Sequence, residues 1–183
     1  MPYEPPPELA SLGLGEIAKL VAERKLPPVN QWHPEKSGDS EMRIAADGRW
    51  FHQNGEIKRP AMVRAFSSLL RRDADGSFWL VTPYERLSIE VEDAPFIAVE
   101  LRNENASDQR TLAFRLNTDD LVIADTEHAL EFRPLPYLHV RDKLWAKLAR
   151  PVYYELAELA LAENNDPLGL WSNGSFFPIG QDA

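Results

Sequence analysis

The sequence predicts an α+β protein of two subdomains, residues 1–75 and 76–183, with an internal duplication. Three observations point there. Short alternating segments parted by turn clusters run from Ser77 to Arg141, the signature of many short strands. Two amphipathic stretches, each entered through an Arg-Pro pair, read as helices. The segments flanking those two pairs follow one another in the same order.

Taken along the chain, residues 1–10 are proline-rich and are expected to form a loose arm. Leu14, Ile17, Leu20 and Val21 share a 3.6-residue spacing, which predicts a helix from Gly13 to Lys25, ended by Leu26-Pro27-Pro28. Met42–Ala45 and Trp50–His52 flank the turn signal Ala46-Asp47-Gly48. Gln53-Asn54-Gly55 is a second, since Asn and Gly tolerate positive φ. A helix is predicted from Arg59-Pro60 to the stop at Asp73-Ala74-Asp75-Gly76, with Val63, Phe66 and Leu70 on one face, joined by Met62 and Leu69. Seven strands follow, at 78–82, 87–91, 96–101, 111–116, 121–124, 130–133 and 137–141, parted by turn clusters that include Asn103 to Asp108 and Asp125-Thr126-Glu127, and expected as an antiparallel roll or barrel. A terminal helix is predicted from Pro151 to Glu163 with Val152, Leu156, Leu159 and Ala160 inward, then one strand near Ser175–Ile179.

The repeat aligns Arg59-Pro60 with Arg150-Pro151. Ahead of each pair lie Met42-Arg43-Ile44 and Leu138-His139-Val140, then Arg49-Trp50-Phe51 and Leu144-Trp145-Ala146. After each helix come Ser77-Phe78-Trp79 and Ser175-Phe176-Phe177. Units so related are expected to pair, because a short sheet alone buries too little apolar surface.

Composition narrows the function. The chain has 183 residues and no cysteine, which excludes disulfides, thiolate catalysis and cysteine-held metals. A net charge of −9 disfavours bulk nucleic acid and anionic membrane as partners. No apolar run is long enough to span a bilayer and no basic-then-apolar leader opens the chain, so a cytoplasmic location is expected. Against that acidic average stand two basic islands, Lys58–Arg72 and Arg141–Arg150.

Those islands direct the choice of candidate site residues. Arg59 and Arg150 start near helix N-termini, which attract anions, and a guanidinium is a forked donor for phosphate or carboxylate. Arg64 and Arg141 add charge; His52, Asn54, Tyr137 and His139 are placed to orient or stack a ligand. Trp50, Trp79 and Trp145 are aromatic candidates for stacking, although strand aromatics mostly fill cores. The histidines show no metal spacing, so no metal and no cofactor are expected. An enzyme would have to use Asp93, Asp119 and His139 as acid–base groups, but Glu92-Asp93 and Asp119-Asp120 fall in predicted turns, where Asp serves the backbone. The reading favoured is a small-anion binding protein with its site where the subdomains meet. A protein-interaction adaptor is the alternative, and an enzyme ranks last.

Several motifs resemble a known family. The run Trp50–Pro60, then Val63-Arg64 and Phe66-Ser67, Trp79–Pro83, Val91–Phe96, Phe114–Asp120, Pro136–Arg141 and Arg150–Leu156 are similar to the bacterial domain of unknown function 1285 family. The resemblance implies a two-part duplicated fold whose C-terminal part is pleckstrin-homology-like. It also implies a nucleotide-like ligand at the interface of the parts and a role in signal transduction. It assigns no functional residues.

Overall fold

The computed structural model describes residues 13–106 and 109–180, so the expected N-terminal arm and residues 107–108 of the expected turn at 103–108 lie outside the described residues. The chain divides into two compact units. One comprises Lys25–Pro95 with the turn Asp142–Leu144, and the other the N-terminal helix, Phe96–Arg141 and the chain from Trp145 onward.

The first unit is a six-stranded sheet. Its strands are β1 (Lys36–Ile44), β2 (Trp50–His52), β3 (Gly55–Glu56), β4 (Leu70–Arg72), β5 (Phe78–Val81) and β6 (Glu85–Val91), in the order β3-β2-β1-β6-β5-β4. Two antiparallel meanders, β1-β2-β3 and β4-β5-β6, are joined where β6 runs parallel to β1, from Lys36↔Glu85 to Ile44↔Val91. That register shifts between Asp39 and Met42, where Glu41 has φ 56° and the buried Ser40 hydroxyl donates to the Ser88 carbonyl at 2.6 Å. The core side includes Ile44, Trp50, Leu70 and Val81, each at most 1% exposed.

The second unit repeats this topology. Strands β7 (Phe96–Ala106), β8 (Gln109–Leu116), β9 (Leu121–Ile123), β10 (Leu130–Phe132), β11 (Pro136–Arg141) and β12 (Leu144–Leu148) lie in the order β10-β11-β12-β7-β8-β9. The last strand again runs parallel to the first, with Ala146↔Phe96. Read in chain order, β1 to β6 correspond one by one to β7 to β12. Three α-helices are described: α1 (Leu14–Glu23), α2 (Pro60–Ser67) and α3 (Arg150–Glu163). The hairpin β13 (Gly169–Ser172) and β14 (Ser175–Pro178) completes the second unit.

The duplication is therefore present, in a different phase from the one the sequence suggested. The Arg-Pro alignment set α2 against α3, but α2 lies between the third and fourth strands of its sheet, whereas α3 follows the sixth of its own. Topology, conserved by strand pairing, is the repeated feature; the Arg-Pro pairs arise because Pro suits the first turn of any helix.

Other expectations change for physical reasons. The division falls at Pro95/Phe96, not at 75/76, because β5 and β6 pair into the first sheet. Two of the seven strands counted thus belong to the first unit, and each sheet contains a parallel pair, so neither is an antiparallel roll. The terminal helix is in place, but the pleckstrin-homology-like likeness is not confirmed. The second predicted helix stops at Ser67, where the hydroxyls of Ser67 and Ser68 bond back to the carbonyls of Arg64 and Ala65. Leu70, 1% exposed, then pairs with Leu80 as strand β4. Asn103–Ala106 is strand, not turn. The tight turn after β2 is centred on Gln53 (φ 50°) and Asn54 (φ 66°), within the predicted Gln53-Asn54-Gly55 signal.

Helix α1 joins the second unit. Ile17 is fully buried on Ala113, with Leu20, Val21, Leu121 and Ile123 around it; the Leu14 side chain lies outside the described ones. Arg24, just past the helix, donates through Nε to Asp120 at 2.6 Å, and Thr118 donates to the other oxygen of that carboxylate at 2.7 Å. On α3, Val152, Leu156 and Ala160 are buried, and Asn164 closes the helix in the left-handed conformation (φ 52°). No helix among the described residues is long and apolar enough to cross a membrane.

Candidate functional site

Strands β11 and β12 alternate strictly. Pro136, Leu138 and Val140 are buried, and so are Leu144, Ala146 and Leu148; the residues between them are half-buried. A period of two thus puts Tyr137, His139 and Arg141 in one row and Trp145 and Lys147 in the next, on the outer face.

On this face the side chains form an aromatic and cationic cluster. The His139 ring meets Trp145 edge-on at 5.0 Å and lies 6.1 Å from His128. The Arg133 guanidinium sits 4.3 Å from the Trp145 ring and 5.2 Å from Tyr137. Such stacks place a planar cation against the negative face of the ring. Arg133 also pairs with Glu131 at 3.1 Å, and Glu131 is the direct cross-strand partner of Tyr137. Arg141, at the end of its row, reaches the Phe96 ring at 5.3 Å.

Hydrogen bonds settle the imidazole orientations. His139 Nδ1 lies 2.7 Å from the Glu127 carbonyl oxygen, which can only accept, so Nδ1 carries a proton and Nε2 is the other ring nitrogen's acceptor site in the neutral form. His128 Nδ1 lies 3.1 Å from Asp125 Oδ1, which also accepts from the backbone N–H groups of Glu127 and His128. The predicted turn at Asp125 is thus the support that positions His128.

Three of the eight sequence-predicted residues, Tyr137, His139 and Arg141, share this second-unit face. The others do not join it as a cluster. Arg150 is the exposed first residue of α3. In the first unit, Arg59 is the exposed N-cap of α2 and Arg64 is half-buried within that helix. His52 is exposed at the end of β2. Asn54 borders a cleft of about 670 Å³ together with Glu41, Gln53 and Arg43. Asp39 and Glu90 line it too, which makes it acidic rather than anion-seeking.

The carboxylates of the two predicted acidic turns make these contacts. Asp119 (φ 65°) is held by Arg115 at 3.3 Å. Asp120 is buried on Arg24 and Thr118. Glu92 accepts from Arg43 and from the Ala46 backbone N–H, both at 2.8 Å, while Asp93 is exposed beside it. Sequence reading missed Arg133 and His128 as members of the cluster. Both lie in turns just outside strands, where alternation carries no information; only the cross-strand register brings them alongside Tyr137 and Trp145.

A repeated six-stranded unit, closed each time by a parallel first-to-last pairing, defines a mixed α+β protein of two equivalent sheets. The chain belongs to the family named for domain of unknown function 1285: the model of its N-terminal domain matches residues 27–94 and that of its C-terminal domain residues 95–179. The seam between the two matches lies within one residue of the division at Pro95/Phe96. A family protein from Silicibacter pomeroyi DSS-3 is 40% identical, with a TM-score of 0.77 over 92% of this chain and 95% of that one. Another, from Shewanella baltica OS155, is 25% identical, with a TM-score of 0.51 over 68% of this chain and 92% of that one. No curated protein matches.

Proposed function

We propose that this protein is a ligand-binding module. The outer face of β11 and β12 takes a small ligand that combines a planar ring with an anionic group, as a nucleotide does. The observation that carries this reading is Trp145, edged by His139 at 5.0 Å and stacked by Arg133 at 4.3 Å, with Tyr137 in the next row. Aromatic platforms with interleaved cations bind bases by stacking at about 1–3 kcal/mol per base. The net charge of −9 argues for a small ligand over a long polyanion. Binding without turnover suits a sensor whose occupancy is read by a partner in signal transduction.

A thermal-shift panel of nucleotides and dinucleotides tests the reading. A ligand at about 100 times its Kd adds about 2.7 kcal/mol of stability, or roughly 5–10 °C in Tm for a protein of this size. The shift is expected to disappear in Trp145→Ala and Arg133→Ala. A shift that survives both substitutions, or none across the panel, overturns it.

A second reading rests on a separate observation. Tyr154 and Leu161 of α3 and Trp171 of β13 are 57%, 65% and 52% exposed. These residues favour a protein-interaction adaptor, and a stoichiometric partner recovered by the protein and lost on Leu161→Glu would select it.

A further inference from the structure

Helix α3 presents two adjoining strips away from its core side. Tyr154, Ala157 and Leu161, spaced i, i+3, i+7, share one strip; Glu155 and Glu158, spaced i, i+3, share the next. Val152, Leu156 and Ala160 take the opposite, buried side. We propose that this outer side of α3 docks an amphipathic helix of a partner protein, with apolar residues at heptad spacing and lysine or arginine along one flank. The inference rests on the adaptor reading and names the partner chemistry of that surface.

The apolar strip is open. Tyr154 is 57% and Leu161 65% exposed. Seven residues apart, they are separated by about 10.5 Å along the helix axis, the repeat of a heptad. Ala157, half-buried between them, is small enough to let a second helix approach closely. The strip continues toward β10: the Tyr154 ring lies 6.0 Å from Tyr153, and Tyr153 lies 6.2 Å from Phe132. Leu135, in the turn between β10 and β11, is 46% exposed.

Charge selects the occupant. Among the described residues Glu155 and Glu158 have no ion-pair partner, whereas Glu163 of the same helix is paired with Arg110. Like charges one turn apart repel, and no lysine or arginine follows Arg150 within the helix. A cationic flank on the partner relieves that repulsion, and a net charge of −9 favours its approach. The same carboxylates disfavour other occupants. A second copy packed antiparallel on this strip brings the two glutamate flanks together, and a parallel one leaves them facing aromatic side chains, still unpaired. An anionic lipid surface meets the same unpaired carboxylates.

Fluorescence anisotropy of the intact protein with a labelled two-heptad peptide, leucine at a and d and lysine at e and g, tests this. Saturable binding with Kd below about 100 μM is expected at low salt, weakening as salt rises. Tyr154→Ser combined with Leu161→Ser should weaken it at least about tenfold, and Glu155→Gln combined with Glu158→Gln at least about threefold, with a flatter salt dependence. All four side chains are exposed, so both double variants should keep the wild-type Tm; Leu161→Ser alone serves if the first unfolds. The same peptide with glutamate in place of lysine should not compete. Equal binding of that peptide overturns the basic partner, and leaves the adaptor surface standing where Tyr154→Ser with Leu161→Ser still removes it. Binding that ignores those two substitutions overturns both. No saturable binding up to about 1 mM overturns the inference alone. A dimer in sedimentation equilibrium that Leu161→Ser dissociates assigns the strip to a second copy and overturns it as well.

Discussion

Replacing Asp120 with alanine should destabilise the protein by about 2–4 kcal/mol. The carboxylate receives Arg24 Nε at 2.6 Å and Thr118 Oγ1 at 2.7 Å, with the side chains of Arg24 and Asp120 23% and 9% exposed. A charge-assisted bond contributes about 1.5–3 kcal/mol net, and the Thr118 hydroxyl loses its acceptor as well. Breaking a fully buried ion pair costs about 3–5 kcal/mol; solvent at Arg24 reduces that figure. Because Arg24 follows directly on α1, its release also loosens Ile17 from Ala113. Urea denaturation of wild type, Asp120→Ala, Arg24→Ala and the double variant measures the pair. A coupling of about 1–3 kcal/mol is expected, with a Tm loss for Asp120→Ala of roughly 5–15 °C. Additive single losses, or a loss below about 0.5 kcal/mol, would refute the view that Asp120 is a structural anchor and reopen its candidacy as a catalytic acid.

Two further predictions concern stability. A Cβ at Gly169 would overlap the Phe177 carbonyl oxygen and lie 2.8 Å from Pro178 Cα, so Gly169→Ala must push β13 and β14 apart at a cost of at least about 2 kcal/mol; a thermal melt within a degree of wild type contradicts this. The backbone N–H of Arg49 foremost, with its guanidinium, holds the Asp47 carboxyl below its ordinary 3.8. A depressed folded-state pKa contributes stability above the unfolded value and loses it as pH falls through the folded one. Asp47→Asn, which keeps one acceptor oxygen for the Arg49 N–H and removes the charge, should therefore flatten the fall of Tm below pH 4; an unchanged acid slope would show the shift has no thermodynamic effect. The effect is small because the group is exposed.

Much of the fold was legible in the sequence because strand alternation and turn chemistry are local. The turns at Ala46-Asp47-Gly48 and Asp125-Thr126-Glu127 lie where Gly and Asp signalled them, and the strand expected at 137–141 is β11. The helix predicted through Leu70 failed on the same local logic. Val63, Phe66 and Leu70 suit one helical face, but Leu70 gains more by pairing with Leu80. Of the candidate site, the strand residues could be read and the turn residues Arg133 and His128 could not.

By itself, then, the sequence determined the α+β class, most element positions and the absence of cysteine chemistry. Each follows from interactions between residues a few positions apart. The tertiary structure decided the parallel closure of β1 on β6 and of β7 on β12, the division at Pro95/Phe96, the phase of the duplication and the meeting of His139, Trp145 and Arg133. These depend on which distant strands pair, and many pairings satisfy the same local pattern. Selection among them comes from burying whole sheet faces and satisfying every ladder, a free energy that exists only once the chain has closed on itself.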